Sequence, residues 1–468
     1  MTAKDPGAPV ALGAITDKNL TREILRLALP AALQHLMQTV VFLADTRMVS
    51  AFADGDSGPL AAMAVTGPVV WSLTVICTVT TIGTTALVAR RVGENRGDAA
   101  SRIAGASVML ALAVGTVVAA IGLPFCRSLV VSLASTGGAE PSAALIDGAT
   151  GYLGWFLLLF PLRAAAMTLE AALRGAGDAR TPLAGGVLAN LVNLGGNWLF
   201  IFGALGLPAM GVAGAGLATA IAAVAEFVFL LFLVLRRWSP RLQLRWSDLS
   251  FQDRAGLRSV LAISSPAFVE ALIFHSGFIV YQLAIYQLNE SSIAAHRIAI
   301  TLQSLAFLPA TGFLVSASSL SGRLLGAGEP GLATRAATRN VTLGVLCMLP
   351  LSALFILAAE PLAGLFSDRQ QEVAAAAQCL RLGGLETPFL LIATALTGTL
   401  RGAGETRAPA VVSALGTWLV RVPFSWLLGV TLGFGLVGVW WSTVLDWLAR
   451  AALLARCVQR GRWRERQI

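Results

Sequence analysis

Asp45 stands inside a long apolar run that also carries Gln34 and Gln38. At about 100° per residue these three side chains fall within ~40° of one another on a helix, a polar stripe on an otherwise oily surface. An ionisable group in such a run is costly unless it is paired or watered, so Asp45 is a candidate for exchanging protons or cations, with Met37, Phe42 and Met48 as candidate apolar lining. The alternative is a helix-end residue partnered by Arg47. Asn190, Asn193 and Asn197 repeat the device with amides on one face, as ligands or as hydrogen-bonding glue between helices. Further along, Glu270, Gly277 and Tyr281 share a face, Glu386 precedes Pro388, and Arg421 falls mid-run. An arginine there requires a carboxylate. Glu270, Glu386 and Asp446 are available, and Arg421 with Glu386 is the expected structural charge pair. Glu170 and Glu226 fall nearer helix ends, where snorkelling suffices, and receive no role.

The elements that must position these residues are membrane spans. A chain of 468 residues that is 56% hydrophobic and 13% charged, with a mean hydropathy of +0.74, cannot bury its apolar surface in a water-soluble fold. Apolar runs long enough to cross a ~30 Å hydrocarbon core lie near 24–52, 60–89, 103–125, 148–172, 182–204, 209–235, 258–285, 292–319, 341–359, 376–400, 409–431 and 434–456. They are too long and unalternating for barrel strands. The fold class is therefore all-α, with twelve transmembrane helices.

Leu173 to Pro182 reads LRGAGDARTP and Leu400 to Pro409 reads LRGAGETRAP. Each stretch leads into an apolar span, a Gly-rich turn and another apolar span, so the chain is a duplication. That predicts two six-helix lobes, residues 1–235 and 259–468, joined by a polar linker at 236–258. Most of the 34 Lys and Arg fall in alternate loops, among them Arg90, Arg91, Arg96, Arg236, Arg241, Arg245 and Arg462. By the positive-inside rule that side is cytoplasmic, with both termini, in the inner membrane. Lobes of six helices enter with the same polarity, as a parallel repeat. Cysteines placed at Ala176 and Ala403, in the two matching turns, are expected to face the cytoplasm.

The net charge of +9 follows from this distribution and needs no nucleic acid partner, although the basic C-terminal tail suits anionic headgroups. The first twenty residues are polar, with no cleavable leader, so helix one reads as a retained anchor. Cys77, Cys126, Cys347, Cys379 and Cys457 lack disulfide or metal spacing and read as small buried hydrophobes. His35, His275 and His296 belong to no HExxH pattern, and no Walker or GxSxG motif occurs. An enzyme, an ATP-driven pump, a metal site and a cofactor are therefore not expected.

The paired LRGAG(D/E)xR turns, Leu43-Ala-Asp45-Thr46, the Asn193 to Asn197 spacing followed by Phe200-Ile-Phe-Gly, Gly211 to Thr219 and Ala294-Ala-His296 together resemble the multidrug and toxic compound extrusion (MATE) transporters over nearly the whole chain, closest to the prokaryotic DinF-type branch. The resemblance implies two lobes around a cleft, alternating access, and export of cationic or amphipathic compounds against inward proton or sodium flow. It implies an ion site at Asp45, Asn193, Asn197 and Thr219. A position that is aspartate in several relatives is Asn197 here, which disfavours sodium. Some branches use a glutamate near Glu270. The substrate cleft would then take Gln34, Gln38, Asp45, Glu270 and Tyr281. A monomer with no cofactor beyond the coupling H+ or Na+ is expected. Two alternatives remain open. A lipid-linked saccharide flippase of the same superfamily would need more cleft arginines than Arg163 and Arg421, and a receptor or scaffold would need larger loops.

Overall fold

The computed structural model describes residues 15–53, 58–135, 141–236, 238–239, 241–466 and 468. The polar stretch before residue 15, and with it most of the leader question, lies outside the described residues. Every regular element among them is helical, as a lipid-spanning chain without barrel periodicity requires. In chain order these are α1 (Leu20–Ala53), α2 (Gly58–Ile76), α3 (Thr78–Gly93), α4 (Gly97–Ala134), α5 (Ala143–Gly175), α6 (Arg180–Phe202), α7 (Val212–Leu235), α8 (Arg254–Tyr286), α9 (Glu290–Gly326), α10 (Pro330–Leu357), α11 (Ala359–Gly364), α12 (Gln370–Gly402), α13 (Arg407–Leu415), α14 (Val422–Phe424) and α15 (Gly435–Gln459).

Eleven described helices are long and apolar enough to cross a membrane. The twelfth crossing is α15, whose 25 residues carry Asp446, Arg450 and Arg456. Two spans are not plain α-helices. The second is interrupted at Cys77, between α2 and α3, in a run of threonines whose hydroxyls turn back onto the backbone: Thr74 donates to Val70 O at 2.8 Å and Thr78 to Val75 O at 2.7 Å. Such back-bonding competes with the helical ladder and bends it. The eleventh is π-helical over Gly416–Arg421 and Ser425–Thr431, on either side of the Pro423 turn.

The described chain forms two compact units. One comprises Leu33–Val88 and Arg96–Leu261; the other comprises the described residues up to Ala32, Ala89–Asn95 and Ala262–Ile468. The polar segment expected as a linker, 236–258, groups with the first unit, apart from Arg237 and Pro240, which are outside the described residues. Within the first unit Ser101 Oγ donates to Gln243 O at 2.6 Å, and a Cβ on Gly105 would meet Asp248 O at 2.2 Å, so that segment is packed onto α4.

The duplicated turns have the same build. Gly177 N donates to Arg174 O at 2.9 Å and Asp178 N to Leu173 O at 2.9 Å; Gly404 N donates to Arg401 O at 2.9 Å and Glu405 N to Leu400 O at 2.8 Å. This is a Schellman ending, which needs a left-handed residue, and Gly177 (φ 88°) and Gly404 (φ 80°) supply it. The acid that follows starts the next helix: Asp178 Oδ1 accepts from Arg180 N and Thr181 N, and Glu405 Oε1 from Arg407 N and Ala408 N. Ala176 and Ala403, expected to be reachable from the cytoplasm, are 0% exposed, because the last turn of each helix is packed against its neighbours.

Candidate functional site

In the first unit α1, α2, α5, α6 and α7 border a cavity of about 210 Å³, lined among others by Gln38, Asp45, Arg163, Asn193, Thr219 and Glu226. Residues from three helices meet at one wall. Asn193 and Asn197 are one turn apart on α6, Thr219 is one turn beyond Ala215 on α7, and Asp45 comes from the C-terminal half of α1.

Their hydrogen bonds fan out from Asn197. Thr219 Oγ1 donates to Ala215 O at 2.9 Å, so its hydroxyl accepts from Asn193 Nδ2 at 3.1 Å. Asn193 then presents Oδ1 to Asn197 Nδ2 at 3.1 Å, and the other hydrogen of that same amide goes to Asp45 Oδ1 at 2.5 Å. One branch runs through Asn193 and Thr219 to Ala215 O, the other goes straight to the Asp45 carboxyl, and together they fix which way each amide points. Asp45 is 5% exposed, Asn197 is fully buried, and Asn197 Oδ1 receives no donor from any described residue. The four residues of the implied ion site are thus brought together, with Asp45 bonded to Asn197 rather than to Arg47.

The polar stripe on α1 divides. Gln38 and Asp45 line the cavity with Phe42, but Gln34 Nε2 donates to Glu170 at 2.7 Å and Gln34 Oε1 accepts from Arg174 at 2.8 Å. Met48 packs into the apolar core beside Val49, Leu153 and Val212. Glu170 and Glu226 do not snorkel; they are 5% and 1% exposed. Arg174 holds Glu170 at 2.8 Å, and Arg163 holds Glu226 at 2.9 Å on the cavity wall. Snorkelling fails as a reading because both side chains turn into the protein, Glu170 toward Gln34 and Arg174 and Glu226 toward Arg163.

In the second unit the expected pair of Arg421 with Glu386 does not form. Arg421 Nε lies 2.8 Å from Asp446 Oδ2, close but not aligned as a hydrogen bond, while Arg450 Nε donates to Asp446 Oδ1 at 2.6 Å. Arg450 also donates to Ser413 Oγ at 2.9 Å and Thr417 Oγ1 at 2.7 Å. A π-turn bonds residues five apart rather than four, which shifts the phase of everything beyond it, and Arg421 closes such a turn. Gly416 makes room, since a Cβ there would sit 2.2 Å from Asp446 Oδ1. The Arg421 guanidinium also lies over the rings of Phe274, Tyr281 and Trp447, 5.7, 5.9 and 5.8 Å from their centroids. Glu386 instead accepts from Gln303 and Thr443. Tyr281 is 3% exposed and packed against Phe278 and His296, and Glu270 pairs with Arg401 at 2.8 Å. Neither of these two expected cleft residues is among those lining the cavity of the first unit.

The amino-acid sequence matches the model of a known family. The MatE model matches residues 30–199 and 266–427. The chain belongs to the MatE family. It is 26% identical to the probable multidrug resistance protein NorM of Thermotoga maritima, over 96% of this chain and 94% of that one. It is 30% identical to the probable multidrug resistance protein NorM of Pseudomonas putida, over 92% of each, and 27% identical to the multidrug resistance protein PmpM of Pseudomonas aeruginosa, over 98% and 94%. The fold matches the outward-facing conformation of a multidrug resistance MATE family transporter with a TM-score of 0.86 at 22% identity, over 97% of this chain and 100% of that one. It matches a MOP superfamily transporter from Pyrococcus furiosus with a TM-score of 0.85 at 22% identity, over 96% and 97%. This MatE protein is accordingly a multi-pass membrane transporter and not an enzyme. Two features of it escaped sequence reasoning. Arg450 received no reading, although its spacing of one turn from Asp446 was a visible signal; the approach of Glu170 to Glu226 had none, because it joins α5 to α7.

Proposed function

We propose that this MatE protein is a proton-driven antiporter of the inner membrane that exports cationic or amphipathic organic compounds by alternating access. Both termini are cytoplasmic, it works as a monomer, and anionic lipids surround its basic tail. Its relatives named as multidrug resistance proteins support the substrate class. The observation that carries the mechanism is the bond that Asn197 Nδ2 donates to Asp45 Oδ1, from an amide whose other hydrogen is held by Asn193. Asn197 thus offers Asp45 an amide hydrogen, whereas a sodium ion needs oxygens. A proton needs only the carboxyl itself. When Asp45 is ionised it can hold a cationic compound in the cavity; when it takes a proton from outside, that attraction is gone. Proton and compound need not meet, provided that each favours a different conformation.

The test is transport by purified protein in liposomes, with proton and sodium gradients imposed separately against a panel of cationic dyes. Efflux is expected with the proton gradient alone. Efflux driven by sodium without a proton gradient would replace the proton reading with a sodium one.

A further inference from the structure

At the inner end of the same cavity lies a cluster that Asp45 does not use. Glu226 from α7 lines the cavity, and its Oε2 accepts from Arg163 NH1 at 2.9 Å. Its Oε1 is buried and receives no donor from any described residue. The Glu170 carboxyl from α5 is already bonded on both oxygens, by Gln34 at 2.7 Å and by Arg174 at 2.8 Å, and lies beside the Glu226 carboxyl. Two carboxylates both lacking a proton cannot hydrogen-bond; they repel, the more so away from water. The charged and titratable groups facing the pair are Arg163 and Arg174 from α5, His35 from α1, and Cys77 between α2 and α3, which faces Arg163. The α6 face toward Gln34 is the bare backbone of Gly186.

We propose that Glu170 and Glu226 share one exchangeable proton, which makes the inner end of the cavity a second proton site. The proton sits on Glu226 Oε1, the buried oxygen with no donor, and is donated to Glu170, whose other bonds hold it as the acceptor. Releasing it breaks one O–H bond, passes the proton to water, and leaves two facing carboxylates against two guanidiniums. That contact is repulsive, so the carboxyls part or admit water. Because Glu226 lines the cavity, a cation arriving there favours the released state, and reprotonation disfavours the cation. The pair thus deepens the proton-exchange reading and rests on it, but it involves neither Asp45 nor the amide chain.

Infrared difference spectroscopy of the full-length protein in liposomes, with glutamate labelled by carbon-13, reads the pair directly. The label moves the carbonyl band of a protonated glutamic acid and leaves that of Asp45 in place. The wild type should show one labelled band at neutral pH that is lost at alkaline pH, and Asp45→Asn should keep it. Glu170→Gln and Glu226→Gln should each remove this same band, since the surviving carboxyl in either variant keeps an arginine and ionises. A band lost only in Glu226→Gln would place the proton on Glu226 alone and overturn the sharing. No labelled band in the wild type, or one that survives both substitutions, would overturn the site. Should both variants misfold, Glu386→Gln decides: a band that persists there supports the pair, and one that vanishes belongs to Glu386. Sodium-driven transport with the shared band intact would overturn the function proposed for Asp45 but not the shared proton.

Discussion

Asp45 accepts from an amide whose second hydrogen is already committed to Asn193, so the carboxyl is held in place by a donor that cannot follow it elsewhere. An asparagine at 45 could still accept that bond through its own carbonyl. Asp45→Asn should therefore fold and express as the wild type does, a neutral amide being cheaper to bury than a charge, yet lose gradient-driven efflux altogether; full efflux in dye-loaded liposomes would move the exchange to another carboxyl. Asn197→Asp replaces a donor by oxygens and should introduce sodium dependence in the same assay. Asp446 poses the opposite case. It faces both Arg421 and Arg450, so removing it leaves two buried guanidiniums uncompensated, whereas removing Arg421 leaves Asp446 paired. Asp446→Asn should cost about 3–5 kcal/mol, and Arg421→Ala roughly 1–2 kcal/mol through its lost ring contacts. Melting in detergent checks the order, and equal losses would show that Arg450 does not hold the acid by itself. The residue types that matter were legible, because a charge in an apolar run is conspicuous. Their partners were not, because partners come from other helices.

Helices in this protein meet through glycine as much as through side chains. A Cβ on Gly398 would lie 2.4 Å from Leu314 O and one on Gly402 2.1 Å from Ser318 O, so α12 lays a small-residue face one turn long directly on the backbone of α9. In the first unit Gly175, at the matching place in the repeat, would put a Cβ 2.6 Å from Thr85 O on α3. Gly402→Ala must therefore push two helices apart and should cost about 1–3 kcal/mol. Gly331→Ala, in the first turn of α10 with nothing near its added methyl, should be neutral or gain up to about 1 kcal/mol from helix propensity. Melting temperatures of the two variants test the contrast, and similar losses would mean that the close approach is not tight. The spans themselves were legible from apolar length, but two of their interiors were not. The threonine run at Cys77 and the π-turns around Pro423 depart from the 3.6-residue period, so the face that Arg421 presents does not follow from its place in the run.

Duplication kept the scaffold and changed the chemistry. Gln34 and Glu270 each stand one turn after a proline, Pro30 or Pro266, and each bonds the arginine of its own LRGAG turn, Arg174 or Arg401. Thr219 and Thr443 occupy matching places after Gly211 and Gly435, yet one accepts from Asn193 and the other donates to Glu386. The place of Asp45 is taken by Tyr281, which is why a polar stripe found in the first lobe did not extend to a second cavity-lining set. Repetition is visible in a sequence wherever backbone geometry demands the same residues, as at Gly177 and Gly404. It is silent where side chains only have to be compatible with their surroundings. If the two copies are a parallel repeat, their LRGAG turns must open on one side of the membrane. Ala176 and Ala403 are too buried to report this, but Arg180 and Arg407, at matching places in the repeat, are exposed. In a background without the exposed Cys347 and the partly exposed Cys457, Arg180→Cys and Arg407→Cys should both escape an impermeant thiol reagent in intact cells and both react once the membrane is opened. Labelling of one from outside and the other from inside would mean that the copies are inverted, and labelling of both from outside would reverse the orientation that the arginine distribution assigns.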